Sequence, residues 1–249
     1  MGRTAASQVR LQYISSSGEE IVTTLAEAKA EEIVGGQPVR GFPSYAGMKH
    51  YPGWLWTATM KDHVGYESLL ERDCLLLADM DQEVVAIASQ PFGLTGRTGD
   101  TLHRHVPDYL LRRRDGTTVV IDVKPAAFLD EPRVAASLGW TSQVISEVGW
   151  RYEVWSGSDP IRLENVRFVA QGRRLNLIDQ EALEALAATG AEGMNLDEAL
   201  SAAARQFSAE RAYLRSALLA LLWFQVWRVD LDRPLSGRTQ IEQVAGSRP

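Results

Sequence analysis

Residues 105–126 read HVPDYLLRRRDGTTVVIDVKPA, two short apolar runs joined by Arg114-Asp115-Gly116. Runs of this length around an Asp-Gly pair predict a β-hairpin, and Pro107 just before the first run marks where that strand begins. The charged residues inside the apolar runs restrict the hairpin further. Side chains alternate along a strand, so Asp122 and Lys124 share one face while Val119, Ile121 and Val123 share the other. The position of Asp108 depends on the turn. A two-residue Asp115-Gly116 loop sets it opposite Val123, on the other face. A three-residue loop, with Gly116 in the left-handed region, sets it directly opposite Asp122.

The segments around the hairpin extend it into an α/β unit. Helical periodicity over Val64–Asp79 places Tyr66, Leu69, Leu70, Asp73 and Leu77 on one side. EVVAIASQPFGL reads as a strand ended by Pro91. After the hairpin, DEPRVAASLGWTSQVISEVG predicts a helix with Pro132 in its first turn, and WRYEVWS a further strand. The order helix, strand, hairpin, crossover helix, strand implies a mixed sheet flanked by helices.

Both ends of the chain are organised differently. Residues 1–60 are read as an N-terminal arm: a short strand or hairpin at YISSSGEEIVTT, a helical turn or two at LAEAKAEEIV, then an irregular stretch rich in Gly, Pro and aromatics. Its Tyr51, Trp54 and Trp56 are expected as packing anchors. Residues 61–170 form the central domain, ending in a short strand at NVRFVA. Residues 171–249 form a small helical C-terminal domain, with a winged helix as one form it could take. There DQEALEALAATG stops at Gly190, and Asn195 and Glu198 have capping-box spacing. SALLALLWFQVW is apolar nearly all round and must be buried, and RVDLDRPLS alternates like a strand.

Composition sets limits on function. The single cysteine, Cys74, lies among leucines and reads as a buried packing thiol. No long apolar stretch indicates a signal peptide or membrane span, so a reducing cytoplasm is the expected compartment. The net charge of -6 opposes free-standing DNA binding. Residues 97–114 differ, holding five arginines (97, 104, 112, 113, 114) against Asp100 and Asp108.

Two carboxylates facing each other across a hairpin repel unless a cation lies between them, and apolar flanks make the charges costly. Asp108, Asp122 and the Val123 carbonyl therefore suit Mg²⁺, with Mn²⁺ as substitute, and Glu71 on the preceding helix is available as a third acid. Lys124 could steady charge developing on a phosphate. Glu67 is ambiguous between a supporting acid and a solvated flank residue. Gln143 is a weaker candidate for the DNA backbone or the active site, and His105 could contact phosphate but is expected to cap or pack beside Asp108.

Glu71, Pro107-Asp108 and Asp122-x-Lys124 together form the PD-(D/E)xK nuclease signature. GYESLLERDCLLLADMDQEVVAIASQPFGL, HVPDYLL and VVIDVKPAAFLDE further resemble the TnsA family, the endonuclease subunits of heteromeric transposases; the resemblance covers about residues 60–156. It implies a restriction-endonuclease-like α/β domain with a helical C-terminal domain. It also implies metal-dependent cleavage of the non-transferred strand at transposon ends, beside a DDE-type transposase and an AAA+ ATPase regulator. By position, the family's catalytic residues fall on Glu71, Asp108 and Lys124. The chain departs from the family's best-known member at Asp122, where that member has glutamine. A stand-alone restriction or junction-type nuclease and a non-catalytic nuclease-like scaffold are the alternative expectations.

Overall fold

The computed structural model describes residues 5–41 and 51–244. The chain divides into two compact units, Met1–Gly157 and Ser158–Pro249.

The first unit is mixed α/β. Strands β1 (Arg10–Ile14) and β2 (Glu20–Thr24) form an antiparallel hairpin followed by a short helix, α1 (Ala30–Val34). A second hairpin, β3 (Gly53–Thr57) and β4 (Asp62–Tyr66), leads into α2 (Leu69–Met80) and β5 (Val84–Ser89). Then come β6 (Gly93–Thr98), β7 (Thr101–His105), β8 (Tyr109–Arg113), β9 (Thr118–Val123), α3 (Pro132–Ser146) and β10 (Arg151–Trp155). Two four-stranded sheets result, with orders β2-β1-β6-β7 and β10-β9-β8-β5. The second is the mixed sheet expected from sequence: β8 and β9 pair antiparallel, and α3 carries the chain across to β10, which lies parallel to β9.

Two cores hold these layers together. Between the sheets, Leu11, Leu94, Leu110 and Val120 pack with Trp140, Val144 and Ile145 of α3. On the other face of the mixed sheet, Tyr109, Leu111, Val119, Ile121 and Val123 pack with Cys74 and Leu75 of α2. Cys74 is buried, as its neighbours imply, and burial pushes its thiol up. Burial of this kind stabilises by roughly 25 cal/mol per Å² of apolar surface. Gly96 is needed where the layers meet. A Cβ there would lie 2.8 Å from Trp140 Cζ2 and 3.0 Å from Val9 Cγ2.

Several expectations fail here for identifiable reasons. Residues 10–34 are no arm, because β1 hydrogen-bonds to β6 and Leu11, Tyr13, Leu25 and Ile33 enter the inter-sheet core. Residues 42–50 of the aromatic stretch lie outside the described residues. Beyond them, Tyr51 is exposed and Trp54 is 56% exposed, so neither is the packing anchor expected. Helix α2 begins at Leu69, not Val64, because Val64–Tyr66 pair with β3. Its buried face is Asp73, Cys74, Leu75, Leu76, Asp79 and Met80, displaced from the stripe read by periodicity, and Leu69 is exposed. The β6–β7 hairpin is additional to the expected elements.

The second unit contains α4 (Pro160–Val169), α5 (Gln180–Ala187), α6 (Leu196–Gln206) and α7 (Arg211–Trp223), with a two-stranded ribbon of β11 (Trp227–Arg228) and β12 (Gln243–Val244). The expected strand at NVRFVA is part of α4, which Asp159 caps through Ile161 and Arg162 N–H groups. This unit therefore starts at Ser158, ahead of the expected boundary at 171, because α4 packs with α7. The capping box of Asn195 and Glu198 is formed. Leu214 and Ala217 through Trp223 are buried, as the all-round apolar pattern of α7 requires. Of RVDLDRPLS only Arg228 is in a strand. Among the described residues no helix is long and apolar enough to cross a membrane.

Candidate active site

The β8–β9 turn decides where the acids lie. Arg112 pairs with Thr118, Arg113 N–H bonds the Thr117 carbonyl, and Gly116 has φ +86°, so the loop is Arg114-Asp115-Gly116. Continued one step beyond the Tyr109–Ile121 pair, this register sets the Asp108 backbone opposite Asp122. The side chains nevertheless part. The ladder ends at Tyr109, and Asp108 N–H donates to the Ile121 carbonyl (3.1 Å). The Asp108 carboxylate takes the Val123 N–H at 2.6 Å. It thereby occupies the end of the strand, where it lines a cleft of about 400 Å³ with Glu71, Val123 and Lys124.

Asp122 does not line that cleft. It extends the Val120 side of β9, toward the inter-sheet core, and is 1% exposed. There its Oδ2 lies 2.7 Å from His105 Nε2 and accepts the Tyr152 hydroxyl hydrogen bond. Lys124 follows the last residue of β9 and lines the cleft beside Asp108, while its N–H continues the β9–β10 ladder to the Trp155 carbonyl. The expected shared face of Asp122 and Lys124 is therefore not formed.

Glu71 is fixed by its own helix start. Ser68 is the N-cap of α2, with Oγ accepting from Glu71 N–H and lying 2.9 Å from Glu71 Oε1; Glu71 Oε2 accepts from Glu67 N–H at 2.7 Å. Each oxygen keeps lone pairs for another partner. The Ser68-x-x-Glu71 spacing is a capping signature legible in sequence, and it would have placed the helix start correctly. Tyr109 then ties α2 to β8, its hydroxyl donating at 3.3 Å to the carbonyls of Gly65 and Glu71. Glu67 lines the cleft and pairs with Arg40 at 2.9 Å. Gln143 is exposed on α3 and is not among the cleft's lining residues. His105 packs on Asp122 and not on Asp108.

The electrostatics of the cleft follow from burial. Asp108 is raised from an ordinary 3.8 to about 7, first by burial and then by the negative charge of Glu71; the Val123 N–H opposes this, Asp122 adds to it, and Lys124 opposes it. Glu71 is also raised, mainly by burial, with its cap hydrogen bonds acting against the shift. Among the described residues, no three His, Cys, Asp or Glu side chains converge as a metal-binding group. Two carboxylates in one cleft are the donor type that a hard cation keeping several waters takes.

Comparison with known proteins returns no matching family model and no matching curated protein.

Proposed function

We propose that this chain is a metal-dependent endodeoxyribonuclease, the subunit of a heteromeric transposase that hydrolyses the non-transferred strand at transposon ends. The observation carrying this reading is the cleft that gathers Glu71, Asp108, the Val123 backbone and Lys124 from a helix start and a strand end far apart in sequence. Burial and the neighbouring Glu71 charge both raise Asp108, so a cation held between the two carboxylates would be favoured there. Asp108, Glu71 and the Val123 carbonyl would hold Mg²⁺ or Mn²⁺, which supplies Lewis-acid stabilisation of charge on the scissile phosphate. Asp108 orients the cleft through the Val123 N–H. Lys124 places a positive charge beside the acids, where it would bind the phosphate and steady its developing charge.

The proposed partners are transposon-end DNA, a DDE-type transposase and an AAA+ regulator, with a cytoplasmic setting. A net charge of -6 leaves the chain dependent on a DNA-bound partner to raise its effective concentration at the end. A non-catalytic scaffold is the second reading, and the turning of Asp122 out of the cleft favours it.

One experiment separates them: nicking of end-bearing DNA with Mg²⁺, by the chain alone and with its partner transposase. Nicking only in the complex, lost in Lys124→Ala, is expected. A complex in which Lys124→Ala nicks at the wild-type rate rules out the assignment. No nicking by any assembled complex favours the scaffold, and efficient specific cutting by the isolated chain favours a stand-alone nuclease.

A further inference from the structure

The arginine-rich window of residues 97–114 does not act as one surface. Arg112 pairs with Glu31 at 2.6 Å, Arg113 with Asp81 at 2.8 Å, and Arg114 lies 3.9 Å from Glu83. These three charges are met locally. Arg97 and Arg104 lie on the other sheet and, among the described residues, form no ion pair.

Sheet register brings a third arginine to them. Thr24 pairs with Arg10, Arg10 with Thr95, and Thr95 with Arg104, so these residues form one row across β2, β1, β6 and β7. Directly paired residues share a face, and Arg97, two residues beyond Thr95, shares it too. The opposite face carries Leu11, Tyr13 and Leu94 into the core, so this one faces outward, and Arg10, Arg97 and Arg104 are all exposed. Strands lie about 4.8 Å apart, which puts Arg10 and Arg104 roughly 10 Å apart at the backbone, with Arg97 about 7 Å along β6 from their row. Three acids border this face: Glu20 ends the β2 edge, Glu27 accepts from the Thr24 hydroxyl at 2.9 Å on the far side of Arg10 from Arg104, and Asp100 sits in the β6–β7 turn, where its carbonyl accepts from Arg97 at 3.3 Å.

We propose that this outer sheet face, through Arg10, Arg97 and Arg104, docks the phosphate backbone of duplex DNA. The inference rests on the nuclease reading in taking DNA as the polyanion. Charge complementarity selects this occupant, since three exposed guanidinium groups without carboxylate partners among the described residues stand on a chain whose net charge is -6. Thr95 lies between Arg10 and Arg104 and adds a hydroxyl donor, whereas Thr24, at the end of the row, gives its hydroxyl to Glu27. Arg104 precedes Asp108 by four residues, so their Cα atoms lie within about 14 Å, while the face itself looks away from α2. Phosphate contacts of this kind position a duplex without reading its sequence.

The test is fluorescence-anisotropy binding of the full chain to a duplex of about 30 bp of arbitrary sequence, in EDTA, across a salt series. Without divalent metal no cleavage occurs, so the result is independent of whether the chain is a nuclease. Replacing Arg10, Arg97 and Arg104 together by Gln should weaken binding about tenfold near 50 mM NaCl and flatten the log–log salt slope by ~2.7, about 0.9 per lost phosphate contact. Replacing Arg112, Arg113 and Arg114 by Gln removes the same charge and should leave most of the slope. The corresponding Arg→Lys triple on the sheet face should keep most of the slope and controls for folding. The proposal is overturned by equal losses in both Gln triples, by an unchanged sheet-face triple, or by no wild-type binding at low salt. It is also overturned if the face binds polyglutamate and not DNA, which would assign it to an acidic protein. Salt-dependent binding through this face with no nicking by the assembled complex would instead overturn the nuclease reading and leave the surface standing.

Discussion

Replacing Asp108 by Asn removes a carboxylate that the fold holds against its preference for water. The folded chain keeps the Asp108 proton up to about pH 7, while an unfolded chain releases it near 3.8. Over that interval the folded state binds more protons, so this group's contribution makes stability greatest near pH 4 and lowers it as pH rises toward 7. A rise from 3.8 to about 7 corresponds to ~4 kcal/mol at most. Asp108 is only partly buried and faces a cleft, so solvent screening reduces the expected figure to ~2 kcal/mol. Asn retains an oxygen to accept the Val123 N–H, which leaves the strand end intact. The variant should therefore melt ~4–8 °C above wild type at pH 8, at ~2–4 °C per kcal/mol for a chain of this size, and much closer to it at pH 4. Glu71 is also raised, and its contribution is common to both proteins. Differential scanning fluorimetry from pH 4 to 8 measures the difference. Mn²⁺ at about 100 times its Kd should then raise wild type by ~2.7 kcal/mol and leave Asp108→Asn nearly unmoved. A variant no more stable than wild type at pH 8, or a gap constant across pH, would refute the buried-carboxylate argument.

Two further outcomes test the layers around the site. Asp122→Ala should cost ~1–3 kcal/mol by orphaning the Tyr152 hydroxyl and His105, while leaving Mn²⁺ affinity nearly unchanged by calorimetry; lost Mn²⁺ binding in a fully folded variant would show that the carboxylate reaches the cleft. Gly96→Ala should destabilise by ~1–3 kcal/mol, because its Cβ would press on Trp140, and unchanged denaturant unfolding would contradict that packing.

Local signals in the sequence were sufficient for the mixed sheet. The Asp115-Gly116 turn, Pro132 opening α3 and the capping box at Asn195 each rest on nearest-neighbour chemistry and are present in the structure; the pairing of Arg113 with Thr117 decided that the loop has three residues. The register as far as the Tyr109–Ile121 pair follows from the loop's length. The side-chain directions do not follow from it, because they depend on where the ladder stops. Tyr109 ends regular pairing, Asp108 caps Val123 N–H, and Asp122 stays on the alternation that leads it to His105 and Tyr152. Those last two partners come from β7 and β10, and no local pattern announces them. The same holds for the arginines: of five neighbours in sequence, four are divided between two sheets and Arg114 lies in a turn, and Arg10 joins Arg104 only through strand pairing across 94 positions. Periodicity reports which residues can share a face, but long-range pairing alone decided which face meets a helix, a second sheet or water.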